Sequence, residues 1–320
     1  MRLIDLVAQC RSPFVVRKTD GSRTYRLQGA ADLAAQVCAC PTRYLLTDEL
    51  ARLCAELAYS AGDKLVQCLD LVRVPAASLW VEWNESAELA GAASVLGDKA
   101  LPQSAVGRRA GAYVSSGATG RQAKLCSFWS DGSEPFASPF EAALDFDEDV
   151  LEKPPEGNVF HGGWVFVTDT DPEIATLLKC ACFRLEPTWA QYYRDVARSD
   201  DDRAKVVRDS LGRVARGVLV MLPFLLLLMS REGVAVRSVT WETLNRKRVK
   251  NGKKPLLDHL EVSLALMLGE PRNTESKIRP GAVGRIGPRR TTCAVIWCAV
   301  ATGFSGEDLT PAVACRAETF

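Results

Sequence analysis

The sequence predicts an α+β fold of mixed helices with a small antiparallel sheet or sheets. Two local patterns point to it, a helical periodicity over 47–60 and a two-residue alternation over 78–83. The composition agrees, since the 320 residues are 47% hydrophobic and 25% charged with a formal net charge of +1. These values exclude a disordered chain, a collagen-like repeat and a protein with a strongly acidic or basic tail.

The first predicted element is an amphipathic helix over 47–60. Thr47 is a suitable N-cap, because its hydroxyl can accept a hydrogen bond from the first turn. The apolar residues that follow at i, i+3, i+4 and i+7 are Leu50, Leu53, Cys54 and Leu57. This stripe predicts a helix packed on one face.

The next predicted element is a strand over 78–83, which combines aromatic and β-branched residues with alternation. One face carries Leu79, Val81 and Trp83, and the other carries Trp80 and Glu82. We expect Trp83 to pack in the core, and we consider Trp80 and Glu82 a candidate recognition surface.

Further elements follow in the order of the chain. Strands are predicted at 110–115, at 124–130 as its pairing partner, and at 163–168. A helix or turn begins at 187–196, a charged helix covers 200–216 and a buried helix covers 218–230. A short strand or linker at 233–239 precedes 256–268, where alternation favours a strand over a helix.

Pro154-Pro155-Glu156-Gly157 interrupts the chain and predicts a soft domain boundary. We therefore expect an N-terminal α+β region over 1–155 and a helix-rich region over 156–287. An atypical tail over 288–320 completes the chain.

The apolar run at 218–229 is the segment that most resembles a membrane span. Its twelve residues fall short of the roughly 20 that a span requires. Because Arg213, Arg216 and Arg231 flank it, the pattern favours a buried core helix. The first residues, Met1-Arg2-Leu3-Ile4-Asp5, are charged before any apolar core, so we expect no secretory leader and a cytoplasmic protein.

The chain contains eleven cysteines and two histidines. Most cysteines stand in apolar runs, which predicts small buried hydrophobic residues in a reducing cytosol. The closest pairs, Cys38/Cys40 and Cys180/Cys182, have the spacing C-x-C rather than the C-x-x-C typical of zinc sites. We therefore predict no metal, and no P-loop, dinucleotide fingerprint, zincin or nucleophile-elbow motif indicates a cofactor or a hydrolase.

The acidic residues allow one enzymatic alternative. Asp169 and Asp171 follow a predicted strand, where paired carboxylates can hold Mg²⁺ for phosphoryl chemistry, with His161 or His259 as an assisting group. Two acids before a proline are more often part of a solvated turn or a helix cap, which is the favoured interpretation here. The acidic run at 141–152 is typical of a solvated face.

The strongest local charge feature is the segment 245–255, which holds six cations and no anion in a nearly neutral protein. Its cations are Arg246, Lys247, Arg248, Lys250, Lys253 and Lys254. A basic loop of this kind can bind nucleic-acid phosphates, whose affinity comes from counterion release. The alternative is a solvated loop between a helix and a strand. No aromatic residue stands within the run, so base stacking would need residues from elsewhere.

Three segments resemble a family of phage-encoded and prophage-encoded proteins. They are LPFLLLLMS at 222–230, LNRKRVKNGKKPLL at 244–257 and LWVEW at 79–83. The second is similar to the family pattern L-N-x-x-R-x-x-x-G-[KR]-x-P-L-L, and the third to L-W-[VI]-E-W. The family includes relatives of a type V-A anti-CRISPR protein that lowers production of the host's Cas effector, acting on its nascent chain and message.

The C-terminus departs from the family pattern. Family members end in a His- and Arg-rich hairpin, roughly HHVRGH, followed by RPHxRG, whereas this chain reads RRTTCAVIWC from Arg289. When the codons are read from their third base, with family-guided choices at degenerate positions, Pro288 onward can encode PHHVRGHLVRRGDRIFWRRPHTRGR. The hypothesis is a frameshift at or before about residue 288 that removes this basic hairpin, and resequencing of the locus tests it.

The resemblance implies a non-enzymatic regulatory or counter-defence protein in the cytoplasm of a bacterial host. It implies action through RNA or through a translating partner, with the six cations of 245–255 facing phosphate. Two alternatives stay open: a metal-dependent nuclease, and a structural or interaction protein that binds no nucleic acid.

Overall fold

A computed structural model describes eleven stretches of the 320-residue chain. They are residues 2–10, 15–17, 24–26, 29–97, 108–130, 134–147, 160–161, 164–165, 177–186, 200–230 and 233–265. All of them belong to one compact unit, Met1–Arg272. The predicted helix or turn at 187–196, most of the strand at 163–168 and the tail at 288–320 lie outside the described residues.

The centre of this unit is a ten-stranded mixed sheet with the order β11-β12-β3-β4-β5-β6-β7-β10-β9-β8. Its strands are β3 (Thr42–Leu46), β4 (Ser78–Asn84), β5 (Arg109–Ser116), β6 (Gln122–Ser130), β7 (Pro135–Asp145), β8 (Phe160–His161), β9 (Trp164–Val165), β10 (Ala181–Leu185), β11 (Val234–Val239) and β12 (His259–Leu264). Two short strands, β1 (Val15–Arg17) and β2 (Thr24–Arg26), form a separate hairpin.

Most neighbours in the large sheet are antiparallel, but β3 pairs in parallel with both β12 and β4. The helices are α1 (Leu3–Gln9), α2 (Ala30–Ala39), α3 (Asp48–Ser60), α4 (Gly62–Val66), α5 (Glu85–Leu96), α6 (Asp200–Met229) and α7 (Glu242–Lys250). The α+β class is confirmed, with a sheet that is larger than expected and mixed. The expected boundary at residue 155 falls between β7 and β8, which are strands of the same sheet.

Helices cover both faces of the central strands. Trp80 and Glu82 of β4 face α1, because the Glu82 carboxylate accepts hydrogen bonds from the backbone of that helix. Trp83 faces the opposite layer, where its indole N–H donates to Glu88 of α5. Both faces of β4 are therefore buried, as in the interior strands of a layered domain.

Local sequence signals account for several elements. Thr47 caps α3 by accepting a hydrogen bond from the Leu50 amide at 3.4 Å, as predicted. Asn84 caps α5 in the same way, with the Ser86 amide 3.0 Å from its Oδ1. The predicted strands at 78–83, 110–115 and 124–130 are confirmed, and β5 and β6 pair antiparallel.

The region predicted as a charged helix followed by a buried helix is one continuous helix, α6. Pro223 lies within it, although proline in a helix interior loses a hydrogen bond and costs about 3 kcal/mol. The helix continues because its second half is embedded in the core, including Phe224, whose ring makes an edge contact with Tyr44 at 5.5 Å.

The stretch Leu211–Met229 is long and apolar enough to cross a membrane by length and composition, but 78% of it is buried against the rest of the protein. This burial is what a core helix requires.

The C-terminal part of the described chain departs from expectation in one element. Within the segment 256–268, whose alternation predicted a strand, His259–Leu264 form β12, and Val234–Val239 form β11, antiparallel to it. The segment 245–255, expected as a loop, is helical in its first half, where it belongs to α7. The residues of α7 are mostly Glu, Leu, Lys and Arg, which are good helix formers. The cations in the last turn of α7 suit the negative end of the helix dipole.

Candidate nucleic-acid interface

The basic segment forms an exposed helix and turn between β11 and β12. None of the described side chains of α7 is buried, and four cations project into solvent. These four, called here the free cations, are Arg246, Lys247, Lys250 and Lys253. Arg246 and Lys250 are one helical turn apart and therefore share a side of α7.

The turn after α7 is closed by backbone hydrogen bonds. Gly252 adopts a left-handed conformation with φ of +68°, which glycine tolerates without strain. The next amide, that of Lys253, then donates to the carbonyl of Arg248 at 2.9 Å. This arrangement ends the helix and places Lys253 beside its last turn.

Asn245 holds the two arms of this turn together. Its Nδ2 donates to the carbonyl of Leu256 at 2.8 Å, and its Oδ1 accepts from the Leu256 amide at 2.7 Å. A paired amide contact of this kind fixes the helix against the irregular segment that leads into β12. The same residue begins the basic segment, so the geometry of the charges depends on it.

Two of the six predicted cations are engaged in the fold. Arg248 is half-buried, and its Nε donates to the carbonyl of Lys254 at 3.0 Å. The Lys254 Nζ donates to the carbonyl of Ala8 in α1 at 2.8 Å. The free cations make no side-chain hydrogen bond or ion pair within the described part of the chain. Of the six predicted cations, four are therefore available for a ligand, and two stabilise the turn that carries them.

A polar cluster anchors the segment to α1. Asp5 is buried, accepts two hydrogen bonds from Arg2 and accepts one from the Leu257 amide at 3.4 Å. The Arg2 guanidinium also lies over the Trp241 ring at 5.4 Å and contacts His259 Nδ1. The N-terminal helix is thus joined to residues on both sides of the basic segment.

His259 is part of this cluster. It is buried and lies parallel to Trp241 with ring centroids 6.1 Å apart. Burial, and then the positive charge of Arg2, lower its pKa to about 4 against the attraction of nearby carboxylates. The neutral ring accepts from Arg2 at neutral pH.

The expected recognition surface at Trp80 and Glu82 is wrong, because each side chain is only 1% exposed. Trp80 packs edge-on against Phe128 at 5.2 Å. Glu82 accepts hydrogen bonds from the first amides of α1, those of Leu3 and Ile4, at 2.8 and 3.1 Å. The alternation of the strand was correctly predicted, but both faces are covered.

Glu82 also forms an ion pair with Arg109 of β5 at 3.0 Å. Its carboxylate therefore sits at the positive end of α1 and beside a guanidinium, a structural role that sequence reasoning missed. A glutamate inside an otherwise apolar strand was the signal available, since a buried charge requires partners.

Eight cysteines lie in the described part of the chain. Cys40, Cys54, Cys68 and Cys180 are buried, and the others are half-buried. Burial raises the pKa of Cys126 to about 12, so this thiol is protonated and inert at neutral pH. No three His, Cys, Asp or Glu side chains converge on a metal position within the described ranges.

The residues of the nuclease alternative are only in part described. Asp169 and Asp171 lie outside the described residues, and His161 is described only as backbone in β8. The described part of the acidic run includes the exposed Asp147, which pairs with the buried Arg121. That guanidinium, through its hydrogen bond, lowers the pKa of Asp147.

Comparison with known proteins adds no further constraint. No family model, curated protein or solved structure matches this chain.

Proposed function

We propose that this protein is a non-enzymatic regulatory protein that binds nucleic acid, and RNA in particular, through α7 and its turn. The observation that carries the proposal is the division of the six cations into two that are engaged in the fold and four that are exposed. Arg248 and Lys254 are used to fix the turn, which holds Arg246, Lys247, Lys250 and Lys253 in solvent with no partner among the described residues. Because the backbone of the turn is already fixed, its ordering adds no cost when the cations bind phosphate.

The charge of the whole molecule sharpens this argument. The net charge is only +1, so general attraction to polyanions is weak. Attraction to phosphate must therefore come from a local concentration of cations. Within the described chain, the basic segment supplies such a local concentration of cations.

The resemblance to phage-encoded proteins related to a type V-A anti-CRISPR protein supports a biological setting for this activity. In that setting the protein acts in the cytoplasm of a bacterial host as a counter-defence factor. Its target is the RNA of a translating defence effector. The same resemblance places further basic residues in the C-terminal hairpin that the frameshift hypothesis removes from this chain.

Binding to RNA and to DNA at two salt concentrations tests the proposal. Four phosphate contacts predict a log–log salt slope of roughly −2.8 for a single strand and −3.6 for a duplex. Affinity should then fall by about 50- to 150-fold between 50 and 200 mM salt. A second protein with the C-terminus restored to the alternative frame should bind more tightly.

The matched variants are Lys247→Glu/Lys250→Glu and Lys64→Glu/Lys179→Glu. Both reverse two exposed lysines and give the same net charge, but only the first pair lies in α7. We expect the first variant to lose most of its binding and the second to retain it. Equal losses would show nonspecific attraction, and no binding by either frame would favour an interaction protein without a nucleic-acid ligand.

A further inference from the structure

A small cavity lies between α6 and the central strands, away from the basic segment. It is lined by Trp83 of β4, by the start of α5, by β5 and β6, and by α6, and it has room of about 20 Å³. Its polar lining consists of Glu85, Glu88, Ser127, Arg213 and Arg216. Nothing in the proposed function uses these residues.

Two polar atoms that line this cavity lack a partner. Within the described part of the chain, Glu85 Oε2 and Ser127 Oγ are buried and have no hydrogen bond. Both residues are more than nine-tenths buried, Glu85 at 3% and Ser127 at 4% exposure. An unsatisfied buried polar group costs about 1–3 kcal/mol, so two at one cavity indicate a missing partner.

The other polar groups of the lining are already engaged. Arg216 donates to Glu85 Oε1 at 3.1 Å, and Trp83 donates to Glu88 Oε2 at 2.6 Å. Arg213 lies over the Trp129 ring at 4.9 Å and 4.0 Å from Glu85 Oε1. The missing partner must therefore satisfy an acceptor, Glu85 Oε2, and a hydroxyl, Ser127 Oγ.

Charge and size restrict what the cavity can hold. Two carboxylates face two guanidinium groups, so neither a cation nor an anion gains a net attraction there. A cavity needs roughly 10–15 Å³ of such room to hold one water molecule, and this cavity has about 20 Å³. The room is too small for an organic ligand.

We infer that the cavity binds one internal water molecule, which donates to Glu85 Oε2 and shares a hydrogen bond with Ser127 Oγ. Buried waters make about three hydrogen bonds, and the Arg213 guanidinium lines the same cavity as a further donor. The water joins α5, β6 and α6 at the junction of helix and sheet, and it completes the hydrogen bonding of the buried charges.

Crystallography of the full chain, at a resolution that shows ordered solvent, tests this inference. We expect a density peak within hydrogen-bond distance of Glu85 Oε2 and Ser127 Oγ. The comparison variant is Ser127→Ala/Gly217→Ala, which removes the hydroxyl and places a methyl group beside its former position. A Cβ at Gly217 would lie 2.7 Å from Ser127 Oγ but 3.8 Å from Ser127 Cβ. The added methyl group therefore fits once the Ser127 hydroxyl is removed.

Water relaxation dispersion in solution gives a second readout. The wild type should show one more long-lived internal water than Ser127→Ala/Gly217→Ala, because waters elsewhere are common to both. A dry cavity in the wild type, a peak with the coordination of a metal cation, or a peak unchanged in the double variant would each overturn the inference. The result is independent of nucleic-acid binding.

Discussion

At the scale of single residues, buried charges connect distant parts of the chain. Glu82 is the clearest example, since its carboxylate serves the amides of α1, the Trp80 indole and the Arg109 guanidinium together. Removing the charge would leave Arg109, whose side chain is 25% exposed, without its anionic partner and would leave fewer acceptors for the α1 amides. The expected consequence is a large loss of stability from a change of very few atoms.

We expect Glu82→Gln to lower the free energy of unfolding by about 1.5–3 kcal/mol, because it weakens several hydrogen bonds to a buried charged group. Urea denaturation measures this loss. The control is Glu261→Gln, which breaks the exposed pair with Arg237 at 2.7 Å and should cost less than about 1 kcal/mol. Equal effects of the two variants would contradict the structural role of Glu82.

His259 gives the protein a dependence on pH. The unfolded chain binds a proton at this residue near pH 6.5, whereas the folded protein binds it only near pH 4. The unfolded state therefore holds more protons within this window, and the free energy of unfolding decreases as pH falls through it.

The variant His259→Asn tests this dependence, because its Oδ1 can still accept from Arg2 but does not titrate. We expect the stability of the variant to decrease less than that of the wild type between pH 6.5 and 4, as measured by denaturant midpoints. The carboxylates and His161 are common to both proteins and cancel in the difference. If stability fell equally with pH in the wild type and the variant, His259 would not be the source of this pH dependence.

At the scale of elements, the sequence was informative where local chemistry decides the structure. The Thr47 cap and the apolar stripe after it predicted α3, and alternation predicted β4, β5 and β6. Each of these signals lies within about a dozen residues. Each therefore reports on the hydrogen bonding or burial of one element.

Long-range pairing could not be predicted in the same way. The parallel contacts of β3 with β4 and β12 join residues far apart in the chain, and no local pattern specifies them. The expectation that Trp80 and Glu82 form an exposed face was wrong for the same reason, because α1, whose Leu3 lies 79 residues before Glu82, covers this face. The hydrogen bond from the Lys254 Nζ to the Ala8 carbonyl could not be predicted from local sequence either.

The contact between α6 and β6 explains a glycine within a long helix. A Cβ on Gly217 would meet Ser127 Oγ at 2.7 Å, whereas one on the exposed Gly212 would meet nothing within 4 Å. Glycine costs a helix interior about 1 kcal/mol relative to alanine. Gly217 is thus explained by close packing, and Gly212 has no such constraint.

We expect Gly212→Ala to stabilise the protein by about 1 kcal/mol and Gly217→Ala to destabilise it by about 1–3 kcal/mol. In a Ser127→Ala background, Gly217→Ala should cost less than in the wild type, since the clashing oxygen is gone. A double-mutant cycle by thermal or urea unfolding measures this coupling. Additive effects of Ser127→Ala and Gly217→Ala would contradict the close contact.

At the scale of the whole molecule, the N-terminal helix supports the candidate nucleic-acid interface. Asp5 of α1 accepts a hydrogen bond from the Leu257 amide, in the segment that follows the turn. The Ala8 carbonyl of α1 accepts one from the Lys254 side chain. The two neighbouring lysines at the end of the basic segment therefore have different roles. Lys253 faces solvent, while Lys254 joins the turn to α1.

This difference predicts opposite outcomes for two variants of equal charge. Lys253→Ala should reduce the salt slope of nucleic-acid binding by about 0.7–0.9, the value of one phosphate contact, and leave stability unchanged. Lys254→Ala should lower the free energy of unfolding by about 0.5–1.5 kcal/mol, because it removes a hydrogen bond to Ala8, and should change the slope less. Salt titrations and urea denaturation of both variants measure the two effects. Identical slopes would show that charge alone, and not its placement by the fold, governs binding.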